Sequence, residues 1–230
     1  MRLLIIAALC TLLTLNLTRA REVTPSLSGT DVQISAADGK TLYGSYFAAG
    51  EGDAKAVILL HQLYTNRSSW TPLVQPLLDA GFKVVAVDLR GYGQTRGKIN
   101  WKQAQQDTAA WVDWLKSQPG VQSIALVGSS MGSNLALAGC AATGCAGAVA
   151  ISPSLNYFNV VTDEAIQAGF PALIIYADRD PYPAADVPTM LELGGDQATA
   201  IVYSGRTHGV DLFKEHDDLV PLIVDWLAAR

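Results

Sequence analysis

The stretch ALVGSSMGSNLALAGC, residues 125–140, decides the fold because it joins two apolar segments through a glycine-rich corner. Before the corner, residues 123–129 form a short apolar run that is typical of a strand covered on both faces. After it, residues 131–142 are rich in Ala and Leu and predict a helix. Glycine is unfavourable in strands and in helices, yet Gly128 and Gly132 flank the corner. The sequence therefore indicates a sharp strand-turn-helix that serves more than packing.

Ser130, at the centre of this corner, is the candidate nucleophile. Gly128-x-Ser130-x-Gly132 between a strand and a helix matches the nucleophile-elbow pattern, whose turn leaves no room for side chains two positions away. The turn lifts the Ser130 hydroxyl above the sheet edge, and the helix beginning at Met131 directs its free amides at the same point. Spacing excludes Ser129. The alternative is a glycine-rich turn without a chemical role.

The order of the remaining segments predicts the fold class. Two β-prone runs, 30–36 and 41–49, are joined by Asp38-Gly39, which indicates a hairpin. Strands and helices then alternate, with strands at 55–61, 82–90, 123–129, 146–152, 171–178 and 198–204, and helices at 68–81, 101–117, 131–142, 184–193 and 215–229. This order predicts an α/β fold, a mostly parallel twisted sheet of about eight strands with helices on both faces. The connection before the 171–178 strand is too short for a cap domain.

A serine hydroxyl needs a base, and the base needs an orienting acid. His208 follows the last predicted strand, and the chain order serine, acid, histidine is the one expected on such a sheet. His61 precedes the serine, and His216 is expected on the solvated face of the last helix. Asp178 and Asp180 end the same predicted strand. We expect Asp180, farther into the loop, to orient His208, with Asp178 and a helix-capping role as alternatives.

The oxyanion of a tetrahedral intermediate needs hydrogen-bond donors, usually backbone N–H groups. One is expected from Met131, directly after the candidate nucleophile, and the other from Leu63, in the loop after the 55–61 strand. Aromatic residues in such loops more often serve packing, and a role as pocket walls is the alternative for four of them: Trp70, Tyr157, Phe158 and Tyr182.

Composition limits the remaining choices. In 230 residues, 50% are apolar and 16% are charged, which indicates a large buried core in one domain. The net charge of −5 offers no basic surface for phosphates, so nucleic acid is not an expected partner.

The N-terminus has the organisation of a secretory signal. A basic start at Arg2, an apolar run over 3–17 and small Ala20 predict a signal peptide over residues 1–20 and a mature domain over 21–230. We therefore expect a periplasmic or secreted protein with no stable membrane insertion after cleavage. Arg19 and Arg21 flank the cut, so an uncleaved anchor is the alternative.

Two cysteines remain after such cleavage, because Cys10 leaves with the signal. An even pair in an oxidising compartment predicts a disulfide between Cys140 and Cys145. Two buried free thiols are the alternative.

The chain resembles the α/β-hydrolase superfamily and, more loosely, its short dienelactone-hydrolase-like branch. The stretches that carry the resemblance are LLHQLYTNRSSW, VDLRGYGQT, GSSMG, YADRDPYP and THGVDLF. The chain departs from the family pattern in having His61-Gln62 for the usual His-Gly, Ala177 for the usual glycine, and Asp180-Pro181-Tyr182-Pro183 where the family has a longer segment. In addition, Ser130 stands where dienelactone hydrolases have cysteine.

The resemblance implies hydrolysis through an acyl-enzyme on Ser130, with His208 as base and Asp180 orienting it, and without metal or organic cofactor. The expected partner is a small carboxylic ester as substrate. A thioesterase, amidase or peptidase could use the same residues, and a catalytically silent binding protein is a further alternative.

Overall fold

The computed structural model describes residues 29–48, 50 and 52–230. The predicted signal peptide over residues 1–20, with Cys10, lies outside the described residues, as does the start of the predicted domain at residue 21. Within the described ranges, no helix has both the length and the apolar character that a membrane crossing requires.

The elements alternate along the chain as the sequence predicts. The strands are β1 (Thr30–Ser35), β2 (Thr41–Phe47), β3 (Ala54–Leu60), β4 (Lys83–Val87), β5 (Val121–Ser129), β6 (Gly147–Ile151), β7 (Asn156–Tyr157), β8 (Val160–Val161), β9 (Ala172–Ala177) and β10 (Ala198–Tyr203). The helices are α1 (Thr71–Asp79), α2 (Trp101–Lys116), α3 (Met131–Thr143), α4 (Asp163–Gln167), α5 (Pro181–Gly194) and α6 (Leu219–Ala228). Short 3-10 helices cover Arg67–Trp70, Gly195–Gln197 and Gly209–Lys214.

Eight strands form one sheet in the order β1-β2-β4-β3-β5-β6-β9-β10. Strand β2 pairs antiparallel with β1 and with β4, and the other neighbours pair parallel. The predicted hairpin is confirmed, since β1 and β2 pair from Thr30 opposite Tyr46 to Ser35 opposite Thr41. The predicted α/β fold class is confirmed as well. Because the parallel strands share one direction, the loops after β5, β9 and β10 emerge at one edge of the sheet.

The core lies on both faces of the sheet because successive strand residues point to opposite sides. In β3, Ile58 belongs to the cluster that contains Leu135 of α3, whereas Val57 belongs to the cluster that contains Leu77 of α1 and Ile223 of α6. All five side chains are fully buried. The sequences of these strands are therefore continuous apolar runs, as expected for a sheet between two helical layers.

The last helix begins later than predicted. It starts at Leu219 rather than at residue 215, because Pro221 lacks an N–H group and is tolerated only in the first helical turn. The prediction that His216 lies on the solvated face of that helix is therefore wrong. His216 precedes the helix, and its ring stacks on Tyr203 with centroids 3.9 Å apart.

The helix predicted from residue 184 begins earlier, at Pro181. Proline is favoured at the first position of a helix because its φ angle is already helical and its missing N–H has no partner to lose there. Because α5 begins at Pro181, Asp180 is the residue immediately before the helix.

The predicted disulfide is confirmed, with Cys140 and Cys145 bonded and their Cα atoms 4.8 Å apart. It links the last turn of α3 to the residues that lead into β6. Gly144, between them, has a φ of 64° and ends the helix in the left-handed conformation that glycine adopts without strain.

The corner between β5 and α3 brings backbone directly against backbone. A Cβ atom on Gly128 would overlap the carbonyl oxygen of Gly132, and one on Gly132 would overlap the carbonyl oxygen of Leu60 at the end of β3. Ser130, between the glycines, has φ 52° and ψ −119°, a strained conformation for a residue with a side chain. The glycines therefore fix how closely α3 approaches the sheet.

We expect Gly132→Ala to destabilise the fold by about 3 kcal/mol, since the atoms it meets are backbone and cannot rotate away. For a domain of this size the loss corresponds to a melting temperature about 6–12 °C lower. Thermal unfolding measures it. Gly52→Ala is the matched control, because a Cβ there meets nothing within 4 Å. Equal melting temperatures for the two variants would contradict the interpretation.

Candidate active site

Three predicted residues meet in one chain of hydrogen bonds. The Nε2 atom of His208 lies 2.7 Å from the hydroxyl oxygen of Ser130, and its Nδ1 atom lies 2.6 Å from a carboxylate oxygen of Asp180. In the neutral tautomer that fits both contacts, Nδ1–H donates to Asp180 and Nε2 accepts from Ser130. This is the arrangement in which a histidine can remove a proton from a hydroxyl group.

Each of the three side chains comes from the carboxyl end of a different strand. Ser130 follows β5, Asp180 follows β9 and His208 follows β10. Asp180 occupies the N-cap position of α5, but its side chain makes no capping hydrogen bond. Its carboxylate contacts His208 instead, so the capping alternative does not describe this residue.

Asp178 contributes elsewhere. Its carboxylate accepts a hydrogen bond of 2.8 Å from the backbone N–H of Gly205, and its side chain is about half exposed. The structure thus brings Asp180, and not Asp178, to His208.

Burial differs sharply within the His208–Asp180 pair. The Asp180 side chain is 4% exposed, whereas the His208 side chain is 36% exposed. A buried carboxylate needs a partner, since leaving a charge unpaired in the interior is costly. His208 is held less by packing than by its hydrogen bonds and by the loop that carries it.

The triad opens into a cavity of about 550 Å³. Most of its walls are apolar or aromatic, and its lining residues are Leu63, Ser130, Met131, Asn156, Tyr157, Phe158, Asp180, Pro181, Tyr182, Arg206 and His208. Leu63 and Met131, whose amides are the predicted oxyanion donors, lie on this lining beside Ser130.

Three of the four aromatic residues suggested as pocket walls line the cavity, and Trp70 does not. Trp70 is fully buried and packs against Phe213, with ring centroids 6.1 Å apart. Trp70 therefore has the packing role, because it ends a 3-10 helix whose apolar side faces the sheet rather than the loop edge.

One wall of the cavity is a short hairpin in the connection between β6 and β9. Strands β7 and β8 pair there, and the two turn residues, Phe158 and Asn159, have φ angles of 52° and 67°. Asn134 of α3 anchors the hairpin by donating to the carbonyl oxygens of Ser154 and Val160 at 2.9 and 2.8 Å. The hairpin is therefore attached to the helix that begins at the elbow.

Tyr157 directs its hydroxyl group toward the reacting centre. Its ring lines the cavity with Ser130, and its hydroxyl lies 3.4 Å from the carbonyl oxygen of Ser152. Burial, together with the nearby negative charge of Asp180, raises the pKa of Tyr157 well above its ordinary value. The phenol therefore keeps its proton at neutral pH and can donate a hydrogen bond.

His61, the histidine before the serine, is a structural group. It is fully buried, and its Nε2 atom accepts a hydrogen bond of 3.0 Å from the backbone N–H of Leu89. Its Nδ1 atom lies 2.7 Å from the carbonyl oxygen of Gln62 and donates to it. Burial lowers the pKa of His61, so the ring stays neutral and ties two loops together.

Sequence reasoning missed several residues of the cavity. Asn156, Pro181 and Arg206 line it. The Ser152 hydroxyl accepts a hydrogen bond from the N–H of Gly209, the residue after His208. Ser152 could have been found, because it is a polar residue directly after a buried strand at the functional edge of the sheet. Arg206 lies two residues before His208, but no pattern indicates where an exposed arginine side chain points.

The described part of the chain contains no group of three or more His, Cys, Asp or Glu side chains arranged to hold a metal ion.

Comparison with known proteins identifies the family. Residues 55–174, just over half of the chain, match the model of the alpha/beta hydrolase fold. The chain therefore belongs to the alpha/beta hydrolase family.

Curated relatives share a segment of the chain. Human Protein ABHD12B is 32% identical over 93 residues, which are 40% of this chain and 26% of that protein. The 2-hydroxy-6-oxononadienedioate/2-hydroxy-6-oxononatrienedioate hydrolase of Escherichia coli K12 is 29% identical over 103 residues, 44% of this chain and 35% of the enzyme. The matched segments thus span about a third or less of these relatives.

Among solved structures, the Pyrococcus furiosus esterase Pf2001 superposes with a TM-score of 0.75 at 21% identity. The match covers 87% of this chain and 92% of the esterase chain. At this identity the likeness shows the fold, and the fold agrees with the family.

The buried His61 predicts a pH dependence of stability. In the unfolded chain His61 binds a proton near pH 6.5, whereas in the folded protein its lowered pKa keeps it neutral there. Stability is therefore lost as the pH falls below about 6.5, by at most about 1.4 kcal/mol per pH unit from this group. We expect His61→Asn to be less stable at pH 7.5 but to lose less on going to pH 5.5. Urea unfolding at both pH values measures this, and parallel losses in the two proteins would contradict it.

Proposed function

We propose that this protein is a serine hydrolase that cleaves small carboxylic esters through an acyl-enzyme on Ser130. The observation that carries the proposal is the continuous hydrogen-bond chain from Ser130 through His208 to the buried Asp180. A scaffold that only bound ligands would have no physical need for all three side chains in this order.

The proposed reaction begins when the Ser130 oxygen attacks the ester carbonyl while Nε2 of His208 takes the hydroxyl proton. Asp180 stabilises the resulting imidazolium through its 2.6 Å contact with Nδ1. The tetrahedral intermediate collapses, and His208 returns the proton to the leaving alkoxide, which departs as the alcohol. Water then attacks the acyl-enzyme by the same route, releasing the acid and restoring the serine.

The negative charge on the carbonyl oxygen needs donors, and the backbone N–H groups of Leu63 and Met131 are proposed to supply them. Their position on the cavity lining beside Ser130 supports this assignment. Since base, acid and donors all come from the chain, the proposed chemistry needs no metal or organic cofactor.

The lining of the cavity favours an ester that carries at least one apolar or aromatic group. Its walls are mostly hydrophobic, and about 550 Å³ is enough for a small molecule rather than for a polymer. The similar Pyrococcus furiosus protein is described as an esterase, which agrees with the proposed reaction class.

We also propose that the protein acts in an oxidising compartment, as a periplasmic or secreted enzyme. The bonded Cys140–Cys145 pair supports this, because structural disulfides persist mainly outside the cytosol.

We expect a fluorophosphonate probe to form an adduct on Ser130, located by mass spectrometry of the labelled peptide. Ser130→Ala should give no adduct, and His208→Ala should slow labelling by about 100-fold or more, since general base assistance is worth that much. Absence of an adduct on folded protein would contradict the proposal and favour the binding-protein alternative.

Substrate profiling then separates the enzyme alternatives. With 4-nitrophenyl butyrate, a matched butyryl thioester and a butyryl anilide, we expect the highest kcat/KM for the oxygen ester. A thioester or anilide preference would keep the serine mechanism but overturn the substrate class.

We expect Asp180→Asn to lower kcat by about 10⁴-fold, because an amide no longer holds His208 in the tautomer that accepts the Ser130 proton. Asp178→Asn is the matched control and should stay within about threefold of wild type, since Asp178 contacts only surface groups. Steady-state kinetics on 4-nitrophenyl butyrate measures both. A similar loss in the two variants would refute the assignment of Asp180.

A further inference from the structure

Gln62 lies where three loops of the site meet. Its side-chain oxygen accepts a hydrogen bond of 2.8 Å from the hydroxyl of Ser129, the residue before the candidate nucleophile. The same oxygen accepts a hydrogen bond of 3.0 Å from the backbone N–H of Val210, two residues after His208. Gln62 itself precedes Leu63, the predicted oxyanion donor. One amide oxygen therefore joins the elbow, the histidine loop and the oxyanion loop.

The histidine loop is shaped around this amide. Gly209 has a φ of 62°, and a Cβ atom there would overlap the Gln62 side-chain oxygen and approach the Ser129 hydroxyl to 2.6 Å. The N–H of Gly209 donates to the Ser152 hydroxyl at 2.9 Å. The two backbone N–H groups directly after His208 thus donate to side chains: that of Gly209 to Ser152, after β6, and that of Val210 to Gln62, after β3.

These anchors matter because, apart from its hydrogen bonds to Asp180 and Ser130, the His208 ring has few contacts that fix its position. Its side chain is 36% exposed, so packing alone does not fix the ring. Proton transfer from Ser130 depends on a short contact, here 2.7 Å, and an error of about 1 Å in such a contact can cost about 100-fold in rate. Gln62 does not line the cavity, and its side-chain oxygen is directed at Ser129 and Val210 instead.

We propose that Gln62 is a positioning residue that holds His208 against Ser130. This inference rests on the proposed function. The Gln62 side chain supplies the histidine loop with an acceptor that is itself fixed to the elbow through Ser129.

The test compares Gln62→Leu, which removes the acceptor at similar volume, with Gln62→Glu, which keeps an acceptor oxygen and adds a charge. Gln75→Leu is the control, since Gln75 bonds only to Asp79 on the exposed side of α1. Rates on 4-nitrophenyl butyrate are divided by the number of sites labelled with fluorophosphonate, so that unfolded protein does not count. The other charged and titratable groups that line the cavity with His208 are the same in every variant: Tyr157, Asp180, Tyr182 and Arg206.

For Gln62→Leu we expect kcat per labelled site to fall by about 10- to 100-fold with KM changed less than about twofold. Gln62→Glu should recover most of kcat, because it keeps an acceptor oxygen for the Ser129 hydroxyl and the Val210 N–H. A residue that only supported folding would change the melting temperature but neither of these readings.

Wild-type kcat per labelled site in Gln62→Leu would overturn the inference, as would a loss explained entirely by KM. If Gln62→Leu does not fold, Gln62→Ala is measured in the same way, and wild-type kcat per labelled site in Gln62→Ala overturns the inference. An unlabelled, inactive wild-type protein would instead refute the proposed function, so the two failures are distinguishable.

Discussion

The first turn of α3 lies against the backbones of β3 and β5, with no side chain between them at Gly128 and Gly132. This contact forces Ser130 into a positive φ angle and aims its hydroxyl at the edge of the sheet. It also brings the end of β3, and with it Gln62 and Leu63, next to the elbow. The geometry of the whole candidate site follows from this one approach of backbone to backbone.

The spacing of the strands explains why the histidine loop needs support. Neighbouring strands lie about 4.8 Å apart, so β10, three strands from β5, begins its loop roughly 14 Å from the serine. His208 must therefore reach back across β6 and β9. Hydrogen bonds from Gly209 to Ser152 and from Val210 to Gln62 hold the loop in that position. Asp180, which follows β9, holds the ring through its hydrogen bond with Nδ1.

The fold and the order of its elements could be predicted because their signals are local: apolar runs, turn residues and the spacing around Ser130. The meeting of Ser130, Asp180 and His208 was also predictable, since parallel strands bring their carboxyl ends to one edge. The contacts of Gln62 and the placement of Trp70 were not predictable. They depend on side-chain directions between loops far apart in sequence, and no periodicity encodes these. The position of His216 depends on Pro221, which confines the start of α6 to Leu219 and leaves His216 in the preceding segment.

The hairpin of β7 and β8 is attached through Asn134 and through the Asp186 carboxylate of α5, which accepts from the N–H of Leu155 at 2.9 Å. In the described part of the chain, these two strands form a separate sheet that does not pair with the eight-stranded one. Phe158, at the tip of the hairpin, lines the cavity and is largely exposed, so it contributes little to the core. A substitution at this tip can therefore change which molecules fit the cavity while Ser130, Asp180 and His208 keep their places.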